Sequence, residues 1–264
     1  MIIAHISDLH VTAPGTLYQD CVASNDMAKA AIRALRGLSP APALVLCTGD
    51  VTEHGTDSEY ALARDILNEI EAPCFVLPGN HDVREPFRRA FDHLGYLPGE
   101  GPLHYAQVCQ GVHIVHLDST VPGAHHGAID EDGLAWLDRT LSSHPNSPTF
   151  VITHHHPVVS GIVELDAYIN RSGPEIAAVL ERHPQVLRLL FGHVHRHMSF
   201  TYGGTLAMAC PSTASQIALR LGAADKSMSL MEPPGLLLHH LHDDGTVISH
   251  LKPIGDFGPY LDFF

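Results

Sequence analysis

Five times along this chain, an apolar run of strand length ends in a small polar segment rich in Asp, Asn or His. Ile2-Ile3-Ala4-His5-Ile6 leads to Asp8-Leu9-His10, and Ala43-Leu44-Val45-Leu46-Cys47 leads to Gly49-Asp50. Cys74-Phe75-Val76-Leu77 leads to Gly79-Asn80-His81-Asp82, and Phe150-Val151-Ile152 to His154-His155-His156-Pro157. The last run, Leu187-Arg188-Leu189-Leu190-Phe191, leads to Gly192-His193-Val194-His195.

Helical patterns separate the first three runs. Met27, Ala30, Ala31, Ala34, Leu35 and Leu38 predict a helix over 23–38, capped by Ser24 or Asn25 and stopped at Gly37-Leu38-Ser39-Pro40. A second is expected over about 58–70, and a short third over 86–94. This alternation implies an α/β fold with a parallel core and right-handed crossovers. Ligands of such sheets bind beyond the carboxyl ends of the strands, where the polar segments stand.

Further on, 103–108 with 113–118, 198–202 with 205–209, and 236–241 with 247–251 read as hairpins. Helices are expected from Asp130 or Asp132 to Leu141, and from Pro174 to His183. With no repeat and no long linker, the expected organisation is a catalytic domain over 1–213. Residues 214–264 form a C-terminal extension that completes the fold or builds an oligomer interface, which leaves a homo-oligomer open. The aromatics of the 257–264 segment are expected to pack on the core, with a partner subunit as the alternative.

Fifteen basic against 29 acidic residues give a net charge of −14, which repels a polynucleotide backbone, so no nucleic-acid polymer is expected as partner. A small anionic substrate would then need metal to hold it. No run approaches the roughly 18 apolar residues of a membrane span, and no leader pattern opens the chain. Five cysteines without a Cys-x-x-Cys pair indicate neither a disulfide framework nor a thiolate zinc site, and a reducing cytoplasm is the expected setting.

Asp8 with His10, and His193 with His195, stand two residues apart, so extended backbone projects each pair to one side. The pairs can clamp one cation, and Asp50 can share it while holding a second with Asn80 and His155. Carboxylate, imidazole and amide donors without sulfur suit Mn, Fe, Co or Zn. Each segment alone is weak, but all five after apolar runs form a specific set. Most of the 22 histidines are ordinary residues. His197 is read as a neighbour of the site or solvent-facing, His125 and His126 as surface-loop residues, and His239, His240, His242 and His250 as carrying no metal.

Asp8-Leu9-His10, Gly49-Asp50, Gly79-Asn80-His81-Asp82, His155-His156-Pro157 and Gly192-His193-Val194-His195 resemble the five signature blocks of the calcineurin-like metallophosphoesterases. The likeness spans roughly 1–213 and is nearest to the bacterial class III cyclic-nucleotide phosphodiesterases and glycerophosphodiesterases. It implies a four-layer α/β/β/α sandwich with two divalent metal ions. Asp8, His10, Asp50 and His195 would hold one metal, and Asp50, Asn80, His155 and His193 the other. His155 is selected because the family ligand stands two before the proline, which leaves His154 to the strand end. The resemblance also implies attack by a metal-bridging hydroxide, with His81 protonating the leaving alkoxide. Asp82 would orient His81 or open the next helix.

Glu53 stands where purple acid phosphatases carry tyrosine, and His54 and Asp82 depart from the protein serine/threonine phosphatases. Arg84 and Arg196 are the only basic residues shortly after a block, which favours a small-molecule phosphodiester over a phosphomonoester. Substrate contacts are expected from loops 119–130, 158–172 and 211–234. A phosphomonoesterase and a non-catalytic metal-binding scaffold are the alternatives.

Overall fold

A computed structural model of the chain describes residues 1–222, 226–259, 261 and 262. Two sheets form its centre. The first runs β13(Val247–Pro253), β12(Gly235–Leu241), β1(Ile2–Ile6), β2(Leu44–Cys47), β3(Cys74–Val76). The second runs β4(Tyr105–Cys109), β5(Val112–His116), β6(Thr149–Ile152), β7(Val186–Phe191), β9(Thr205–Ala209), β8(Met198–Tyr202). A small ribbon of β10(Gln216–Ile217) and β11(Ser229–Leu230) stands apart. Strands β1, β2 and β3 are parallel, as are β5, β6, β7 and β9, so the expected crossovers are present in both sheets.

Side-chain alternation builds four layers from these strands. Ile3, Leu44, Leu46 and Phe75 meet Ile114, Phe150, Ile152 and Leu190 between the sheets. On the outer face of the first sheet, Ala4, Ile6, Val45 and Cys47 pack under α1(Ser24–Arg36), α2(Asp57–Leu67) and α3(Arg84–Phe91). Val151, Leu189 and Phe191 do the same under α4(Glu131–Ser142) and α5(Gly173–Leu180). Together these give a four-layer α/β/β/α sandwich.

The hairpin of β12 and β13 belongs to the first sheet, β13 forming its edge, with Ile2 to His5 paired antiparallel to His240 to Leu237. Phe257 and Leu261 are exposed, and Tyr260, Phe263 and Phe264, part of the aromatic segment expected to pack on the core, lie outside the described residues. No described helix is long and apolar enough to cross a membrane.

Two helix starts bear on the site. Neither Ser24 nor Asn25 caps α1: Ser24 Oγ donates to the His10 carbonyl at 2.7 Å, and the Asn25 amide brackets the Thr12 backbone. Both side chains are used to hold the loop after β1. Helix α2 begins instead at a capping box of Thr56 and Glu59, which fixes the chain just past Asp50.

Candidate metal centre

The segments after β1 and β2 leave their strands side by side. Asp8 N donates to the Gly49 carbonyl, His10 N to that of Asp50 and Val11 N to that of Val51, at 3.0–3.1 Å. Leu9, Val51 and Val194, the apolar residues next to or between the polar ones, are fully buried and anchor the turns. Asp8, His10, Asp50, His193 and His195 all have positive φ, between 46° and 68°. The pairs thus converge through left-handed turns rather than the extended backbone expected from their spacing. Non-glycine residues resist that region at a cost of about 1–3 kcal/mol each, and clusters of them mark functional sites. A Cβ at Gly192 would overlap Ser7 Oγ, so that segment can approach Asp8 only as glycine.

Donor atoms of Asp8, His10, Asp50 and His195 all lie within 4.8 Å of one another, in buried surroundings. His10 Nδ1 sits 2.7 Å from Glu53 Oε2, and His195 Nδ1 2.9 Å from the Ser215 carbonyl. Both partners only accept, so the protons belong on Nδ1 and the two Nε2 lone pairs face each other at 3.0 Å. His154 differs: its Nδ1 donates to the Thr48 carbonyl at 2.7 Å, but its Nε2 faces the acceptors Asn80 Oδ1 (3.1 Å) and Asp50 Oδ2 (3.4 Å). Against burial, the Asp50 and Asp8 carboxylates raise its pKa to about 9, so a cation at this point would take the place of the Nε2 proton. His193 Nε2 is buried without any partner. His10, His154 and His195 converge with their Nδ1 protons turned outward, an arrangement that fits cations at the centre, and fixing a ring through its other nitrogen is how proteins orient metal-binding histidines.

Electrostatics point the same way. Burial, helped by the Asp50 charge and opposed by His154, raises the Asp8 carboxyl to about 6. Burial also works against Asp50, but His154, His81 and His10 outweigh it and hold this carboxyl well below the usual range. Two buried carboxylates that cannot both ionise cheaply are relieved by a shared cation.

The second cluster differs from expectation at one position. Asp50, His154 and His193 bring donor atoms within 4.8 Å, with Asn80 beside them, whereas His155 turns away. Phe150 and Ile152 point between the sheets and Val151 points to the helix side, so His154 continues toward Asp50 and His155 continues away from it. His155 is bound at both nitrogens, Nδ1 to Ser119 Oγ at 2.7 Å and Nε2 to the His125 carbonyl at 3.2 Å, leaving no lone pair for a metal.

His81 N donates to Asp50 Oδ1 at 2.9 Å, and its Nδ1 lies 3.0 Å from the Glu53 carbonyl and 3.2 Å from Glu53 Oε2. Burial lowers the affinity of this ring for a proton, but the Asp50 and Glu53 carboxylates reverse the effect and bring its pKa to about 10. It therefore carries a proton at neutral pH. Asp82 does not orient it. Oδ1 accepts from Thr52 N, Thr52 Oγ1 and Tyr60 Oη, and Oδ2 from Val51 N and Gly79 N, all at 2.9–3.1 Å. Five donors saturate the carboxylate, which ties the Asp50 loop to the Asn80 loop.

Sequence reasoning missed two neighbours. Glu53 bridges His10 and His81, and its position after Asp50 was the only sign of it. Tyr18 stacks on the His10 ring, with centroids 4.4 Å apart. A cavity of about 290 Å³ opens over Asp50, His193 and His195, walled by Tyr18, His125, Tyr168 and Met228. The three expected loops all reach it, and His125 lies in its wall instead of on a plain surface loop. His197 points away, with Nδ1 at the Ala209 carbonyl. Arg84 is bound to Asp118 and the Thr120 carbonyl, and Arg196 to Glu232 and the Ile217 carbonyl. A wider cavity of about 650 Å³ lies at the opposite, amino ends of the strands by Met1, Val112 and Pro148, away from every buried cluster of metal-binding donors found among the described residues.

Comparison with known proteins agrees with this geometry. The chain is 32% identical over 98% of its length, and 96% of the other's, to a protein named probable glycerophosphodiester phosphodiesterase GpdQ from Arcobacter nitrofigilis. It is 29% identical over 96% of its length, and 90% of the other's, to the Escherichia coli protein named 3',5'-cyclic adenosine monophosphate phosphodiesterase CpdA. Among solved structures, a dimetal phosphatase from Danio rerio superposes with a TM-score of 0.67 over 97% of this chain and 99% of its own, at 16% identity, a likeness of fold. The calcineurin-like phosphoesterase family model matches residues 1–197, and the chain belongs to that family.

Proposed function

We propose that this chain hydrolyses small phosphodiesters with two divalent cations, one held by Asp8, His10, Asp50 and His195 and the other by Asp50, Asn80, His154 and His193. The observation that carries the reading is the convergence of buried imidazole and carboxylate groups on one region, with the Nδ1 protons of His10, His154 and His195 turned outward. Cations bound there, from Mn, Fe, Co or Zn given the nitrogen and oxygen donors, lower the pKa of a water and neutralise phosphoryl oxygens.

The remaining work falls to side chains. His81 lines the cavity, holds Nδ1–H on Glu53 and presents Nε2–H to the leaving alkoxide as general acid. Glu53 keeps that ring protonated and holds His10 in one tautomer. Asp82 fixes the relative position of Asp50 and Asn80 through backbone donors. A diester carries one negative charge, whereas a monoester carries up to two and calls for free cationic side chains. Arg84 and Arg196 are both committed elsewhere, which favours the diester, as do the names of the relatives.

The test is to strip the protein of metal and reconstitute it with Mn²⁺, Fe²⁺, Co²⁺ or Zn²⁺. Cyclic AMP, glycerophosphoethanolamine and p-nitrophenyl phosphate are then offered in parallel. Metal-dependent turnover of a diester, faster than that of the monoester by about tenfold or more, is expected. Faster monoester turnover overturns the choice of substrate class, and inactivity with every metal favours a scaffold.

A further inference from the structure

A second cavity, of about 390 Å³, adjoins the site, and Asn80 lies in the wall of both. Val83, Glu85, Thr120, Val121 and Pro122 line the second one. A single loop separates the two: Thr120 to Gly123 face the second cavity and His125 faces the first. His155 pins this loop from beneath, with one ring nitrogen on Ser119 and the other on the His125 carbonyl. Asp118 fixes its start through Thr120 N and Oγ1 at 2.9 and 2.6 Å. The ridge between the cavities is thus held from several sides.

We infer that the substrate is a linear phosphodiester whose two arms lie in the two cavities, with the phosphate at Asn80 where they meet. This inference rests on the phosphodiesterase reading above. In a linear diester, two separate alcohols diverge from one phosphorus. In a cyclic nucleotide, both ester oxygens belong to one sugar, so the bulk lies on one side and the second cavity goes unused. The chemistry of the second arm follows from its walls. Val83 and Val121 are apolar, and the Glu85 carboxylate in the wall is paired with Arg88. The guanidinium in the wall, Arg84, is spent on Asp118 and the Thr120 carbonyl. The second arm is therefore an alcohol without a further phosphate or carboxylate, since the wall offers such a group no uncommitted guanidinium.

The test fills the second cavity in the metal-loaded enzyme. Val121→Trp should lower kcat/KM about tenfold or more on bis(p-nitrophenyl) phosphate and glycerophosphoethanolamine. The same variant should stay within about twofold of wild type on cyclic AMP and methyl p-nitrophenyl phosphate, which place little or nothing there. Pro122→Trp, at an exposed rim position, should shift the ratio of two-armed to one-armed rates the same way by a smaller factor, and decides the matter if Val121→Trp does not fold. Equal losses on both substrate groups, or none on the two-armed ones, overturn the inference while leaving the phosphodiesterase reading intact. A wild-type enzyme with metal bound that hydrolyses no diester removes that reading itself, and the inference with it.

Discussion

The cluster of Asp8, His10, Asp50 and His195 draws two carboxylates to one point, whereas that of Asp50, Asn80, His154 and His193 has only the shared carboxylate and a neutral amide. The first is buried and walled by Glu53, which adds a further negative charge behind His10. The second borders the cavity: Asn80 is partly exposed, and its amide nitrogen reaches the exposed His125 at 3.3 Å. Charge attraction in a buried site outweighs that of an amide dipole, so the first half-site should hold its cation more tightly. The cavity opens over both half-sites through Asp50, His193 and His195, and the second also borders the other cavity through Asn80.

Removing the group common to both halves has the largest expected effect. Asp50→Ala should leave neither cation firmly bound and lower kcat on the order of 10³-fold or more. Asn80→Ala should cost only the second cation, so bound metal read by elemental analysis falls to near none in the former and to about one per chain in the latter. Equal metal content in the two variants would break the contrast between the halves.

The triple histidine sharpens it. His154→Ala should empty the second half-site and reduce turnover on the order of 10²-fold, whereas His155→Ala should keep both cations and lose about tenfold or less, through a slackened loop. The opposite ranking of metal content would return the ligand role to His155. The sequence reading chose His155 where the structure turns His154 toward Asp50, for a physical reason: three identical side chains carry no periodic mark, and the end of β6 at Ile152 decides which one faces Asp50.

Other parts of the chain were readable because their signal is local. Apolar runs ending in polar segments located five strands and their carboxyl ends, and hairpins such as 198–202 with 205–209 matched β8 and β9 residue for residue. What depends on distant partners left little trace. Asp82 reads like any helix-opening aspartate until five donors from two loops and Tyr60 are seen around it. Glu53 carries no motif, and its place behind His10 comes from Glu53 N pairing with the Val11 carbonyl as the two post-strand segments run together. His125 belongs to a loop with turn composition, and contacts from distant residues, His155 on its carbonyl and Asn80 on its ring, bring it to the cavity wall.

Glu53 also tests whether the tighter half-site and the general acid share one support. Its carboxyl is disfavoured by burial but held down at about 2 by His10 and His81, so it stays ionised throughout the working range. Glu53→Gln keeps the shape and removes the charge. The His81 imidazolium loses a carboxylate that raises its pKa, so its proton leaves at lower pH, and the alkaline limb of the kcat profile should move down by about one unit or more. His10 keeps an acceptor in the Gln amide oxygen but loses the carboxylate charge, and affinity for the first cation should weaken about tenfold. At saturating metal and below the shifted limb, kcat should then stay within about tenfold of wild type. An unmoved alkaline limb with weakened metal binding would confine Glu53 to supporting His10, and would separate the acid from the first half-site.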